Sequence, residues 1–421
     1  MYDIIVIGAG ISGASFAYKV SKHAKTLLLE LREKDRLPQN TNIFPEHNKR
    51  FLSDIDYSDE VLFPCPFRII NYKDKKYDGL IDSTEFGKYF GHISYTEKVI
   101  LRLLENAENN GTTLQFGERV NQVQRNNDCV EIRTNKGNDY KARLLAIGTG
   151  SHSFELQKSL GFEAPDQYKG VYTHLYGSED QITSNLKFDY MFHINPNISH
   201  TGPFFINKGR ERISLGFLGK IQDSDEEIIS KLYRILQNYK VIQPYIKNLK
   251  EGSKKPVVGM ISKHPISHYS DDRVLVLGEA AGIVTAFFYE GILGGLACAD
   301  LANRTVKPLL DSESSLKSNE LKVYDDEVNR ILIETYFKTG KASEYLFYEA
   351  GSKIKTLWQV YCNFIKENKT IRRYIWEAIR MHDLEHYDTS RDRWTGEQIF
   401  KRLPFLSKAT YWPLFLKAML K

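Results

Sequence analysis

A chain of 421 residues exceeds what one ordinary hydrophobic core supports, so two or three structural units are expected. With 42% hydrophobic and 26% charged residues it reads as an ordinary soluble globular protein, and its 25 Tyr and 23 Phe fit either a large apolar pocket or a bulky core. A formal net charge of +5 without a dense basic stripe argues against a nucleic-acid partner, while a mildly basic surface is compatible with docking on an anionic membrane.

Residues 2–7 are a β-branched apolar run that ends at Gly8, the pattern of a buried parallel strand. The run could pass for the core of a signal peptide, but no Lys or Arg precedes it and Asp3 stands where positive charge is wanted. Residues 11–22 place Ile11, Ala14, Ala17 and Val20 on one helical face, and 26–30 form a second buried strand, completing a βαβ unit. Residues 32–60 are polar and irregular and read as a long surface excursion, followed by strand-like pieces at 66–71 and 76–81. A helix over 95–109 would bury Val99, Leu101, Leu103, Leu104 and Ala107. Strands at 113–116, 120–124, 129–134 and 140–147, with turns between them, make a meander that returns to the parallel sheet.

From 168 to 262 the pattern is mostly strands, at 170–175, 190–194, 203–206, 213–218 and 256–260, with one helix near 225–239. Residues 274–297 are long enough to cross a bilayer, but they contain Glu279, Glu290 and several glycines, so a strand, a loop and a buried helix are expected. From 306 onward only helical patterns occur, near 320–340, 342–365 and 370–382, with a polar loop over 310–319. Cys65, Cys129, Cys298 and Cys362 lie far apart with no C-x-x-C pair, which argues against a disulfide framework or a zinc site and for a reducing, cytoplasmic setting.

The glycine loop Gly8-Ala9-Gly10-Ile11-Ser12-Gly13 follows a strand and opens a helix, and Glu30 lies twenty residues beyond Gly10 at the end of the second strand. Each part has a task in holding a dinucleotide. Gly8 permits the tight turn, Gly10 lets the backbone approach a pyrophosphate, and Gly13 lets helix and strand pack. The helix N-terminus offers free N–H groups and partial positive charge to phosphates, and the Glu30 carboxylate can accept from ribose hydroxyls. The bland alternative is a glycine turn in an ordinary α/β protein. The motif by itself fits NAD as well as FAD; its place at the very start of the sequence favours FAD.

A second segment is informative: strand 273–277, then Gly278-Glu279-Ala280-Ala281-Gly282, then a glycine-rich helix starting near Glu290-Gly291-Ile292. Here the chain resembles flavoproteins built on the p-hydroxybenzoate hydroxylase plan, and most of all the geranylgeranyl reductase family, whose signature is Gly-Asp-Ala-Ala-Gly followed by Gly-Ile and a helix. The resemblance implies a mixed α/β protein in three parts. Residues 1–60, 90–165 and 265–305 would form a discontinuous Rossmann-like FAD-binding domain, 61–89 and 166–264 a β-sheet substrate domain, and 306–421 a helical region. It implies that Leu31 and Arg32 after Glu30, Val120, Gly148, Gly150, Gly278, Glu279, Ala281 and Gly282 attend the FAD, with Glu279 on the ribityl chain. Gly291 and Ile292 would start a helix facing the flavin, with Gly291, Gly294 and Gly295 allowing close approach; a glycine packing face is the alternative. Thr149-Gly150 stands where many relatives have Asp-Gly, which makes an NADPH-dependent hydroxylase less expected.

The resemblance further implies hydride transfer from reduced flavin to C=C bonds of an isoprenoid lipid. The substrate would then be hydrophobic, and the electron donor NAD(P)H or ferredoxin. Alkene reduction also needs a proton, for which Tyr289, Glu290 and Cys65 are candidates; each could equally be a core residue. Phe287 and Phe288 would wall the pocket or pack the core. A flavin monooxygenase, a non-redox flavin cyclase and a non-catalytic flavin carrier are alternatives. No Ser-His-Asp or metal cluster emerges. Residues 401–421 hold five basic residues, no acidic ones and several aromatics; they would either lie peripherally on a membrane or pack on the body.

Overall fold

The structure is a computed structural model and describes residues 1–44, 46–55, 62–65, 68–71, 79–87, 91–152, 154–380, 388 and 390–420. Its first sheet grows from the apolar runs read above. Tyr2–Ile7 pairs in parallel with Thr26–Leu29 on one side and with Asp139–Ile147 on the other. Thr113–Gln115 and Val274–Val276 continue the parallel order at the two ends, and Ser270–Asp271 adds an antiparallel edge. The first half of Asp139–Ile147 pairs with Val130–Thr134 and through it with Val120–Arg125, so the meander branches from the sheet it rejoins. Continuous β-branched and leucine runs are the natural content of strands buried on both faces. Ile4, Val6, Leu28 and Leu145 are accordingly fully buried.

Helices Ile11–Val20 and Ile292–Asp311 pack against each other, with Thr96–Asn109 beside the first. Helix Ile292–Asp311 runs on into the stretch 310–319 that the sequence reads as a loop. Thr96–Asn109 buries Ile100 rather than Leu101, because 96, 100, 103 and 107 share a face and 101 lies about 100° away from 100.

The second sheet runs Lys250–Glu251, Asp166–Tyr176, Arg212–Gly219, Phe204–Lys208, Tyr190–His193, Arg68–Asn71, Gly79–Asp82, with Val257–Lys263 also paired to Asp166–Tyr176. All pairings are antiparallel except that of Tyr190–His193 with Arg68–Asn71. Helix Asp225–Asn238, opened by a reciprocal Ser224–Glu227 capping box, buries Ile228 and Leu232.

One region departs from expectation. Residues 32–60 are not merely a surface excursion: Thr41–Phe44 is a strand in a small sheet with Gly91–Tyr95 and Leu62–Cys65, and Phe44, Phe51, Leu52 and Ile55 are buried. The helical C-terminal region serves two cores. Ser318–Val328 and Asn329–Phe337 pack on the parallel-sheet core, whereas Tyr345–Glu349, Ile354–Glu367 and Lys408–Met419 build a second one with Ile81, Phe192 and Phe287. Among the described residues no helix is long and apolar enough to cross a membrane.

Candidate functional site

A cavity of about 1210 Å³ is lined from both large sheets. One end is the glycine loop. Gly8 has φ +99°, and a Cβ there would lie 2.4 Å from the Gly148 carbonyl oxygen. A Cβ on Gly13 would lie 1.9 Å from the Gly8 oxygen, so both of these glycines serve the chain's own packing. Gly10 differs: a Cβ there would meet only the Gly148 oxygen, at 4.0 Å, and its open side faces the cavity. No side chain caps helix Ile11–Val20, and no acidic residue occupies its first turn. The site therefore offers an uncapped helix start with room in front of it, the arrangement that receives a diphosphate.

Glu30 is 3% exposed. Its Oε2 accepts from the Ala9 N–H at 2.7 Å and its Oε1 from the Arg32 N–H at 2.8 Å, so it holds the loop in place while lining the cavity. Ile11, Ser12, Leu31, Arg32 and Val120 line the same end, as do Gly148 and Gly150. Thr149 lines it with a buried hydroxyl that has no partner among the described residues, an orphaned polar atom suited to a bound polar group. Glu279 also faces the cavity; burial raises its pKa, offset in part by the Ser262 N–H, at 3.2 Å from its Oε1, and by the Ser151 hydroxyl.

Several expected cofactor residues lie behind this wall. A Cβ on Gly278 would lie 2.0 Å from the Ser12 hydroxyl oxygen. The Ala281 carbonyl accepts from the Ile266 N–H, and Gly282 sits against the His264 backbone. Gly294 and Gly295 pack on Ile283 and Ser12, so the packing-face reading describes them, while Gly291 and Ile292 do line the cavity. Cys65 ends the strand Leu62–Cys65, and its side chain falls outside the described residues.

The other end of the cavity is aromatic, walled by Tyr172, Tyr190, Phe205, Phe217, Phe288 and Tyr289. Phe288 is pocket wall, whereas Phe287 is 7% exposed and packs on Phe192, Phe347 and Tyr348.

Tyr289 and Glu290 both reach this end. Glu290 folds over the start of the long helix: its Oε1 accepts from the Ile292 N–H at 2.6 Å, and its Oε2 lies 3.2 Å from the Leu293 nitrogen. The helix N-terminus expected to face a flavin is thus covered by the chain's own carboxylate, as charge attraction to a helix start favours. Burial pushes the Glu290 carboxyl up to about 7 despite these two N–H groups, so it can exchange a proton near neutral pH.

Tyr289 has φ +52°, an uncommon backbone conformation for an aromatic residue. Its hydroxyl lies 2.9 Å from Glu344 Oε1, to which it donates, and 3.2 Å from the Thr201 carbonyl. Glu344 comes from the C-terminal helical region and is 2% exposed. It also accepts from the Tyr168 hydroxyl at 3.1 Å and lies 3.7 Å from Lys263 Nζ and 3.5 Å from His264 Nε2. Burial would raise its pKa, but the His264 hydrogen bond, the Lys263 charge and the Tyr289 hydroxyl outweigh that and hold it below the usual carboxylate range. The Tyr289 hydroxyl is driven well above 10 by burial and by the adjacent negative charge, so it is a neutral proton carrier beside an ionised acceptor. Glu344, Lys263, His264 and Tyr168 carry no motif that would expose this cluster in the sequence; only the fold assembles it. Among the described residues no group of His, Cys, Asp and Glu is placed to hold a metal ion.

No family model matches the sequence. Solved structures do match it over nearly their full length. A geranylgeranyl bacteriochlorophyll reductase-like protein from Thermoplasma acidophilum is 16% identical, with 98% of this chain and 99% of that one covered at a TM-score of 0.67. The halogenase PltM, solved in complex with phloroglucinol and FAD, is 14% identical over 100% and 96% of the two chains, at 0.69. The p-nitrophenol 4-monooxygenase PnpA from Pseudomonas putida DLL-E4 is 13% identical over 92% and 99%, at 0.72. The particular likeness to the reductases is therefore not singled out by the architecture, which a halogenase and a hydroxylase match equally well. At these identities the likeness is one of fold: the chain shares the architecture of a reductase-like protein, an FAD-bound halogenase and an aromatic monooxygenase.

Proposed function

We propose that this chain is an FAD-dependent oxidoreductase of the geranylgeranyl reductase type, acting on C=C bonds of an isoprenoid lipid. The observation that carries the FAD assignment is the continuity of one cavity from an uncapped helix start and the Glu30 carboxylate to an aromatic chamber. FAD bound along it and reduced supplies a hydride to a substrate in that chamber. Gly10, Ser12 and the first turn of Ile11–Val20 receive the diphosphate, Glu30 the ribose, and Thr149 and Glu279 the polar chain between the diphosphate and the ring. The substrate end is supported by Tyr190, Phe205, Phe217 and Phe288, which exclude water and accept an apolar chain. Tyr289 holds a proton beside that chamber, and the ionised Glu344 carboxylate that accepts from its hydroxyl holds the ring in place. Reducing equivalents come from NAD(P)H or ferredoxin, and the lipid is met at a membrane that the protein contacts peripherally.

The fold likeness to PltM and PnpA favours one second reading, an oxygen-using flavin monooxygenase or halogenase on an aromatic substrate. One anaerobic experiment separates the two. The bound flavin is reduced and geranylgeranyl lipids are added. The reductase reading expects the oxidised absorbance to return, with a gain of two hydrogens per double bond in the lipid. Flavin that stays reduced until oxygen enters, and then yields an oxygenated product, refutes it in favour of the second.

A further inference from the structure

The end of the described chain has two apolar faces and only one of them is used by the protein. In helix Lys408–Met419 the residues Tyr411, Leu414, Phe415 and Ala418 are buried in the second core, and Phe415 meets Phe400 edge-on at 5.2 Å. The opposite side is also apolar. Phe405 is 85% exposed and Leu406 90%, followed by Trp412 at 51%, Leu416 at 41%, Met419 at 63% and Leu420 at 88%. Within helix Lys408–Met419, steps of four and three place Trp412, Leu416 and Met419 on one side over roughly 10 Å at 1.5 Å per residue, and Phe405 and Leu406 precede them in the 3-10 turn Phe405–Ser407. Scattered exposed apolar residues are common on protein surfaces, but a continuous stripe of large ones is not.

Charge states what kind of surface this stripe meets. Lys401, Arg402, Lys408, Lys417 and Lys421 border or follow it, and no acidic residue occurs after Glu397. Lys401 and Arg402 stand in the last turn of helix Ser390–Arg402, just ahead of Phe405 and Leu406. An apolar ridge in a stretch of sequence that is cationic and free of acidic residues is complementary to a surface that is apolar a few ångströms down and anionic on top. We propose that this ridge seats the protein on an anionic phospholipid bilayer, with helix Lys408–Met419 parallel to the membrane plane and Phe405, Leu406, Trp412 and Leu420 in the headgroup–acyl boundary. The stripe is far too short to span. The proposal joins both alternatives left open by the sequence, with one face packing on the body and the other facing the lipid.

The test uses the full chain and sedimentation with extruded vesicles, either phosphatidylcholine alone or with about 30% phosphatidylglycerol, a content that gives a clearly negative surface. The protein is expected to pellet with the anionic vesicles and to stay in solution with the zwitterionic ones. The combined variant Phe405→Ser, Leu406→Ser, Leu420→Ser should partition at least tenfold more weakly at an unchanged melting temperature, since none of these side chains is in the core. If that variant folds poorly, Lys401→Glu with Lys408→Glu serves instead and should abolish the preference for anionic vesicles. Absence of binding by the natural chain overturns the proposal. So does a natural chain that sediments as a dimer without binding vesicles while the serine variant is monomeric, because the ridge would then join two copies. The readout needs neither flavin turnover nor substrate, so its failure removes the peripheral membrane contact proposed above and leaves the flavin chemistry of that reading standing.

Discussion

Two glycines of the loop, Gly10 and Gly13, make the sharpest test of the dinucleotide site, because the structure gives them opposite reasons for being glycine. At Gly10 φ is −70° and ψ −179°, a conformation alanine adopts freely, and a Cβ would meet nothing closer than 4.0 Å. Gly10→Ala should therefore leave the flavin-free protein as stable as before or stabilise it by about 0.4–1 kcal/mol, through lower entropy of the unfolded chain. The same methyl group projects into the space a diphosphate needs. Forcing an extra carbon into a close contact costs roughly 1–3 kcal/mol, which weakens FAD binding by about 5- to 160-fold. Gly13→Ala is the contrast. Its Cβ would lie 1.9 Å from a backbone oxygen that cannot rotate away, so the flavin-free protein itself should lose about 3 kcal/mol or more. Thermal unfolding of the flavin-free variants and titration of FAD by quenching of its fluorescence read the two effects separately. A Gly10→Ala protein that binds FAD like the natural chain, or one that is destabilised as Gly13→Ala is, refutes the reasoning.

Glu30→Ala should lower the unfolding free energy by about 2 kcal/mol, since the Ala9 and Arg32 N–H groups lose a charged acceptor, with Glu30→Gln partly restoring it in chemical denaturation. Tyr289→Phe should leave the affinity for FAD unchanged while slowing anaerobic reoxidation of reduced flavin by substrate about 10²-fold or more, the scale of a lost general acid. Glu344 has a folded pKa below the unfolded one, so it contributes stability that is complete above the unfolded value and lost as pH falls through the folded value. Glu344→Gln should accordingly flatten the acid limb of a melting-temperature profile, and an unchanged limb would count against the cluster. Glu290 has the opposite sign: with its folded pKa raised to about 7, stability falls as pH rises from the unfolded value towards 7. Glu290→Gln should thus raise the melting temperature of the flavin-free protein more at pH 8 than at pH 5, and an equal effect at both would refute a buried, titrating carboxyl.

Much of the nucleotide half could be read without a fold because its signals are local. A β-branched run, three glycines at fixed steps and a carboxylate one strand later constrain backbone within about thirty residues, and Tyr2–Ile7, Ile11–Val20, Thr26–Leu29 and Glu30 stand where that pattern puts them. Periodicity likewise announced the strands of the second sheet and helix Asp225–Asn238. What tertiary structure alone decided depends on partners distant in the chain. Gly10 and Gly278 look alike as letters, yet one faces open space and the other Ser12, and only packing separates them. Phe287 and Phe288 diverge, core and wall, for the same reason. Glu344 lies 55 residues from Tyr289 in a helix with no motif, and its meaning comes from four side chains that the fold gathers around it. Local order is written by neighbours along the chain, whereas burial, charge pairing and proton affinity belong to neighbours in space.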